Sequence, residues 1–172
     1  EDSNQSTISN DNSSASSDNS VVGSGAAYVY KRTGTSWEQE AYIKAVNPTA
    51  EDNFGYSVSI DNDTIVVGAY LEDSNQTTVT NGTTASDNND NSSSGAVYVY
   101  KRTGSSWAQD AYIKASNNNV DDKFGEVVFL DGNTIGVGVQ LEDSNLTTIT
   151  NATTAASSNN SNSASGAVYI YR

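Results

Sequence analysis

The chain contains no cysteine, no methionine, no histidine and one proline, Pro48. Without cysteine there are no disulfide staples and no thiol chemistry. Without histidine the commonest general base and transition-metal ligand is missing. Without methionine there is no initiator residue, and the chain is expected to be a fragment or a processed product of something longer. Basic residues are scarce: eight Lys and Arg against 21 Asp and Glu give a formal net charge of −13. Phosphate backbones need a basic face and anionic membrane surfaces attract basic segments, so neither partner is expected. An acidic surface of this kind either serves solubility or collects divalent cations. Long apolar runs are absent too. Stretches such as Thr64–Tyr70 fall far short of the roughly 20 residues of a membrane helix, so no membrane insertion is expected. The first residues show neither a basic n-region nor an apolar h-region, so no signal peptide is visible.

What the chain does have is a repeat. The text YVYKRTG…SW…AYIKA at Tyr28–Ala45 returns at Tyr98–Ala115, an offset of 98 − 28 = 70. Phe54-Gly55 returns at Phe124-Gly125, and the tetrad Glu-Asp-Ser-Asn stands at Glu1, Glu72 and Glu142. A period this long signals one supersecondary module per repeat, stacked on its neighbours to complete a core. Counted from the tetrads, the units are 1–71, 72–141 and a partial 142–172. Each opens with a block rich in Ser, Thr, Asn and Asp (Glu1–Ser24, Glu72–Ser94, Glu142–Ser165). Apolar-patterned segments follow at 25–71 and 95–141.

The apolar segments read as strands. In the middle of the chain these are Gly55–Ile60, Thr64–Tyr70, Gly95–Arg102 and Trp107–Ala115, dominated by Val, Ile, Tyr and Trp. No segment sustains a 3.6-residue apolar period. Asp61-Asn62-Asp63 and its counterpart Asp131-Gly132-Asn133 suit a tight hairpin with positive φ. Thr103-Gly104-Ser105-Ser106 suits a second hairpin, and the polar block is a long connection between second and third strands. In Gly95–Tyr100 the residues Ala96, Tyr98 and Tyr100 share one face and Val97 and Val99 the other, so this strand should be an inner one. The expected fold is all-β, with tandem four-stranded antiparallel units of about 70 residues.

In Phe54–Val58, Ile65–Tyr70, Ser94–Tyr100 and Trp107 the chain resembles the FG-GAP repeat, the blade unit of integrin-type β-propellers. Phe124-Gly125 and Val137-Gly138-Val139 continue the resemblance, which is closest to bacterial surface versions with a Ser/Thr/Asn-rich insertion. The resemblance implies propeller blades, an extracellular or cell-surface location, and adhesion or ligand binding. It also implies a calcium loop between the first two strands. Asp61–Asp63 and Asp131–Asn133 are shorter than that loop. A propeller closes with 4–8 blades. This chain holds one four-strand set, a leading strand pair and three trailing strands, so it would form part of a ring or of an open array.

Candidate chemistry is thin. Ser and Thr are plentiful but lack a histidine base, and Lys44 and Lys114 repeat at equivalent places, as structural groups do. Acid pairs for glycoside hydrolysis are usually unique. Glu72-Asp73, Glu142-Asp143, Glu51-Asp52 and Asp121-Asp122 recur once per unit, and read as edge charges that deter aggregation. No enzyme activity is expected, no catalytic residue is assigned, and no cofactor is implied beyond calcium. For calcium the candidates are Glu72, Asp73, Glu142 and Asp143 in the repeated tetrads, which otherwise terminate strands by local hydrogen bonds. Asp87-x-Asn89-x-Asn91 has alternating oxygen ligands but lacks the following Gly and closing Glu. Sequons at Asn4, Asn12, Asn75, Asn81, Asn91, Asn145, Asn151 and Asn159, with Asn62 in a hairpin, are glycosylation candidates. Phe54, Phe124, Trp37 and Trp107 read as core packing rather than a ligand cage.

These features point to a non-enzymatic extracellular structural or adhesive repeat protein. Its expected partners are neighbouring copies or adjacent repeats, in a filament or a propeller, together with glycans. The alternatives are a calcium-dependent ligand-binding propeller and an accessory repeat region of a larger secreted enzyme.

Overall fold

A computed structural model of the chain describes residues 1–11, 15–150 and 156–172. Ten strands run in the order β1 (Ala27–Thr33), β2 (Ser36–Ile43), β3 (Ser57–Asp61), β4 (Thr64–Ala69), β5 (Val79–Asn81), β6 (Ala96–Thr103), β7 (Ser106–Ile113), β8 (Val127–Asp131), β9 (Thr134–Val139) and β10 (Ala167–Tyr171). No helix occurs among the described residues. The strands form three antiparallel sheets: an N-terminal β1-β2 pair, a central β3-β4-β6-β7-β5 sheet and a C-terminal β10-β9-β8 sheet.

The all-β expectation holds, and the four central strands fall where the β-branched and aromatic runs put them. β5 is the addition. Three residues of the polar block, Val79–Asn81, pair with Ile113, Tyr112 and Ala111 on the outer edge of β7. The hairpins use the turn chemistry the sequence carries. Asp61 pairs with Thr64, leaving a two-residue loop led by Asn62 at φ 52°, and Gly132 holds the same place at φ 56°. The sheets do not follow the phase of the covalent repeat. The junction between Leu71 and Glu72 falls inside the central sheet, and that between Leu141 and Glu142 inside the C-terminal one.

The central sheet is covered on both faces. Ile65, Val67, Ala69, Ala96, Tyr98 and Tyr100 pack against Val29, Ala41 and Ile43 of the N-terminal sheet. Val66, Val97 and Val99 pack against Val128, Leu130, Val137 and Val139 of the C-terminal sheet. β6 is therefore an inner strand with two apolar faces, as its sequence requires. Phe54 and Phe124 are core residues. Phe124 packs edge-on against Tyr169 (ring centroids 5.4 Å) and Tyr171 (6.4 Å), as Phe54 does against Tyr98 and Tyr100.

Two expectations need correction. Trp107 is buried, but its counterpart Trp37 is 67% exposed. Trp107 is covered by Asn10 and Glu40 of the preceding unit, and among the described residues nothing equivalent lies over Trp37. Glu72, Glu142, Asp52 and Asp122 are not edge charges: the first three are 1% exposed and Asp122 is 2% exposed.

Candidate functional site

The repeated tetrads build a buried polar hub in each unit. Glu72 follows β4, where its N–H donates to the carbonyl of Ala69 in a tight turn. Its side chain points inward and is buried. Glu72 Oε2 accepts from Lys114 Nζ at 2.7 Å and from the Ser74 hydroxyl at 3.2 Å. Glu72 Oε1 accepts from the Tyr112 hydroxyl at 2.8 Å. Lys114 also donates to Ser94 Oγ at 2.8 Å, and Ser94 Oγ donates to the Ser74 carbonyl at 3.0 Å. A buried ammonium and a buried carboxylate are tolerable only when paired and hydrogen-bonded, and here they are. Burial pushes the Lys114 ammonium below its ordinary value, against the opposing pull of Glu72. In the N-terminal unit Lys44 Nζ meets Glu1 Oε2 at 2.8 Å and Ser24 Oγ at 2.8 Å.

The aspartates of the tetrads do something else. Asp73 Oδ1 accepts the Ser93 N–H at 2.7 Å and its carbonyl accepts the Asn91 N–H at 2.7 Å, so it ties the two ends of the polar block together. Asp143 does the same with Ala164 (2.6 Å) and Asn162 (3.0 Å). The structure thus gives the calcium candidates separate tasks: Glu72 faces Lys114, Glu142 is buried, and Asp73 and Asp143 face backbone amides. Among the described residues no three His, Cys, Asp or Glu side chains converge to hold a metal ion.

Junctions between units are equally regular. After the fourth strand of each unit the linker sends one asparagine into the next hub. Asn47 Oδ1 accepts from the Tyr98 hydroxyl at 2.7 Å, and its amide donates to Glu72 Oε1 at 3.3 Å and to the Ser86 carbonyl. Asn117 repeats this with Tyr169 at 2.6 Å, Glu142 at 2.6 Å and Ser157 at 3.0 Å. Arg102 reaches Glu40 of the preceding sheet at 2.9 Å and Asp63 of its own at 2.6 Å. It also lies over the Trp107 ring, 5.4 Å from its centroid. Asn10 clasps the backbone of Trp107: the Trp107 N–H donates to Asn10 Oδ1 at 2.6 Å, and Asn10 Nδ2 donates to the Trp107 carbonyl at 3.1 Å. On the other side Ser57 Oγ donates to the Gly125 carbonyl at 2.7 Å and Ser59 Oγ accepts the Leu130 N–H at 3.0 Å.

Each linker also carries a buried acid. Asp52 accepts the Thr49 N–H (2.9 Å) and hydroxyl (2.6 Å), and Asp122 accepts the Asn119 N–H (3.0 Å). Burial pushes Asp52 from 3.8 up to about 7 and Asp122 up to about 6, with Glu72 and Asp73, and Glu142 and Asp143, adding to the rise. The folded chain therefore binds these protons more tightly than the unfolded chain. Stability from these groups is full below about pH 4 and falls as pH rises toward 7. Asp52→Asn is expected to raise the melting temperature by several degrees at pH 8 and leave it nearly unchanged at pH 4. Thermal melts across that range check this.

Residues 37–83 match the FG-GAP repeat family model. No curated protein matches the chain. The FG-GAP match runs from β2 through β5 and includes the first Phe-Gly pair. Phe54 packs against Tyr98 and Tyr100 while its backbone forms a parallel bridge with Gly25, and the second pair, Phe124-Gly125, outside the matched residues, repeats this. Phe124 fills the space beneath the two tyrosines of β10, while its backbone forms a parallel bridge with Gly95 of the preceding unit. Gly95 sits at φ 82°, and a Cβ there would lie 2.0 Å from the Phe124 carbonyl oxygen. Gly125, at φ 91°, is just as close to the Ala96 carbonyl, at 2.3 Å. In this chain each Phe-Gly pair is thus a backbone-to-backbone contact between units with an aromatic plug beside it.

Of the sequons, Asn4, Asn62, Asn75, Asn81, Asn145 and Asn159 are exposed and Asn91 is half-buried. Asn12 and Asn151 lie outside the described residues. Among the described residues no helix is long and apolar enough to cross a membrane.

Proposed function

We propose that the chain is a segment of a non-enzymatic extracellular structural or adhesive protein, in which propeller-blade-like units repeat in tandem. The observation that carries this reading is the equivalence of successive junctions. Asn47 and Asn117 plug successive hubs through the same three kinds of partner, and Gly25-Phe54 and Gly95-Phe124 make the same parallel bridge. Junctions that repeat in this way suit units added end to end, and contacts that do not close into a ring give filaments. The polar blocks, with exposed sequons, would coat such an array, and the FG-GAP match supports a location outside the cell.

The same match favours a second reading, a closed ligand-binding propeller that depends on calcium. Electron microscopy of the native material separates the two. Fibres with an axial repeat are expected. Compact rings would overturn the array and favour the propeller. Melting with and without a calcium chelator gives an independent check: no shift is expected, and a marked loss of melting temperature on chelation would favour the propeller.

A further inference from the structure

The hub of the central sheet gathers an amine and a carboxamide on one carboxylate. Lys114 Nζ lies 2.7 Å from Glu72 Oε2, and Asn47 Nδ2 lies 3.3 Å from Glu72 Oε1. The carboxamide oxygen of Asn47 accepts from the Tyr98 hydroxyl at 2.7 Å. The Lys114 and Glu72 side chains are 0% and 2% exposed. The rings of Tyr98 and Tyr112, centroids 5.1 Å apart, stand beside them. An amine and an acyl group held together in this way, with water shut out, meet as an intramolecular pair. The asparagines nearest Lys114 along the chain are committed elsewhere. Asn117 donates to Glu142, and Asn118 donates to the Ser74 and Gln76 carbonyls.

Three features distinguish this cluster from a buried ion pair that only fills space. Burial lowers the Lys114 ammonium, so a neutral, nucleophilic amine is reached by passing one proton to Glu72. Burial, with Glu72 adding to the rise, holds the Tyr98 hydroxyl well above its ordinary range. Tyr98 therefore stays a donor, aimed at the oxygen where negative charge develops if the Asn47 Cγ is attacked. Finally, Asn47 precedes Pro48, whose nitrogen carries no hydrogen. The common side reaction of an asparagine, attack by the next backbone N–H, is closed there. The carboxamide is left to an amine from elsewhere in the fold.

We propose that Lys114 and Asn47 become joined by a side-chain amide bond, with Glu72 carrying the protons and Tyr98 holding the oxyanion. The ion pair is the state before reaction. Lys114 Nζ gives a proton to Glu72, and its lone pair attacks the Asn47 Cγ. The Asn47 oxygen takes the charge against the Tyr98 hydroxyl. The Cγ–Nδ2 bond then breaks as Glu72 passes protons to Nδ2, which already faces its carboxylate. One ammonium and one carboxamide become one amide and a free ammonium ion, and Glu72 ends as it began. No oxidant or external co-reactant is needed. The bond staples the linker after β2 to the end of β7, so it closes the junction between two sheets covalently.

Intact-mass spectrometry of the purified, folded chain tests this. After prolonged incubation the mass is expected to fall below that of the sequence by one ammonia. A protease digest should then contain a branched peptide carrying both Asn47 and Lys114. Asn47→Ala, at a half-buried position, and Glu72→Gln should each keep the mass of their own sequence and give no branched peptide. Should either variant fail to fold, the mass and digest of the native chain decide alone. A folded native chain that keeps its full mass overturns the site. So does an ammonia loss that maps elsewhere, such as a succinimide at Asn81-Gly82. A branched peptide that forms equally fast in Glu72→Gln overturns the role given to Glu72. Fibres without the branched peptide would sink this inference and leave the structural reading standing. The branched peptide without fibres would leave the bond and sink the array.

Discussion

Lys114→Met is expected to cost about 3–5 kcal/mol, the penalty for stranding one partner of a buried ion pair. Lys114 and Glu72 have side chains 0% and 2% exposed, so solvent cannot step in for the missing ammonium. The remaining carboxylate would keep Tyr112, Ser74 and Asn47 but lose its counter-charge. Urea denaturation of wild type and variant measures the loss. A loss below about 1 kcal/mol would mean that the hub relaxes or hydrates, and that the pair is not the organising feature of the unit. The double variant Lys114→Met with Glu72→Met is expected to recover much of the loss, because two apolar groups leave no uncompensated charge. If the double variant falls further instead, the serine and tyrosine hydroxyls left without a carboxylate dominate the balance.

Phe124→Ala should be comparably severe, at about 3–5 kcal/mol, the range for emptying a buried aromatic site. Phe124 is 0% exposed and packs beside Tyr169, Tyr171 and the valines of β6 and β9. The loss has a spatial signature. Phe124 lies at the junction of the central and C-terminal sheets, so its removal should release β8–β10 before β3–β7. Hydrogen exchange should show the C-terminal sheet losing protection first. Uniform loss across all three sheets would mean that the units melt together and that the junction is no weaker than their interiors.

The strands and hairpins were legible because their signals are local. Val, Ile and Tyr at alternate positions mark β6, and Asn62 and Gly132 mark turns that need positive φ. The two-faced pattern of Gly95–Tyr100 also foretold an inner strand, since alternation survives only where one face is wet. The hub was not read, because its partners are 42 residues apart and meet only through the sheet. A signal was present: every Glu-Asp-Ser-Asn tetrad that has a Tyr-Ile-Lys-Ala strand in its unit pairs with that lysine. A lysine between Ile113 and Ala115, at the end of an apolar strand, already asks for a carboxylate. Asp52 and Asp122 misled for the opposite reason. Each stands in an acidic pair that looks solvated, yet only its first member is exposed. Trp37 and Trp107 have nearly the same local sequence, and their different exposure is set by a neighbouring sheet. β5 was hidden because it is three residues long, in a polar block whose single valine gives no apolar alternation to read.

The aspartate clasp at the base of each polar block separates two design problems. Asp73 fixes where the loop leaves and rejoins the sheet, and Asn47 touches its middle through the Ser86 carbonyl, a group every residue type possesses. Exposed side chains between those anchor points, such as Asp87 and Asn89, are thus free to drift without disturbing the scaffold. The segment behaves as an interchangeable cassette: foreign peptides spliced in between the clasp and the edge strand would be displayed once per repeat, at a regular spacing along whatever the units build.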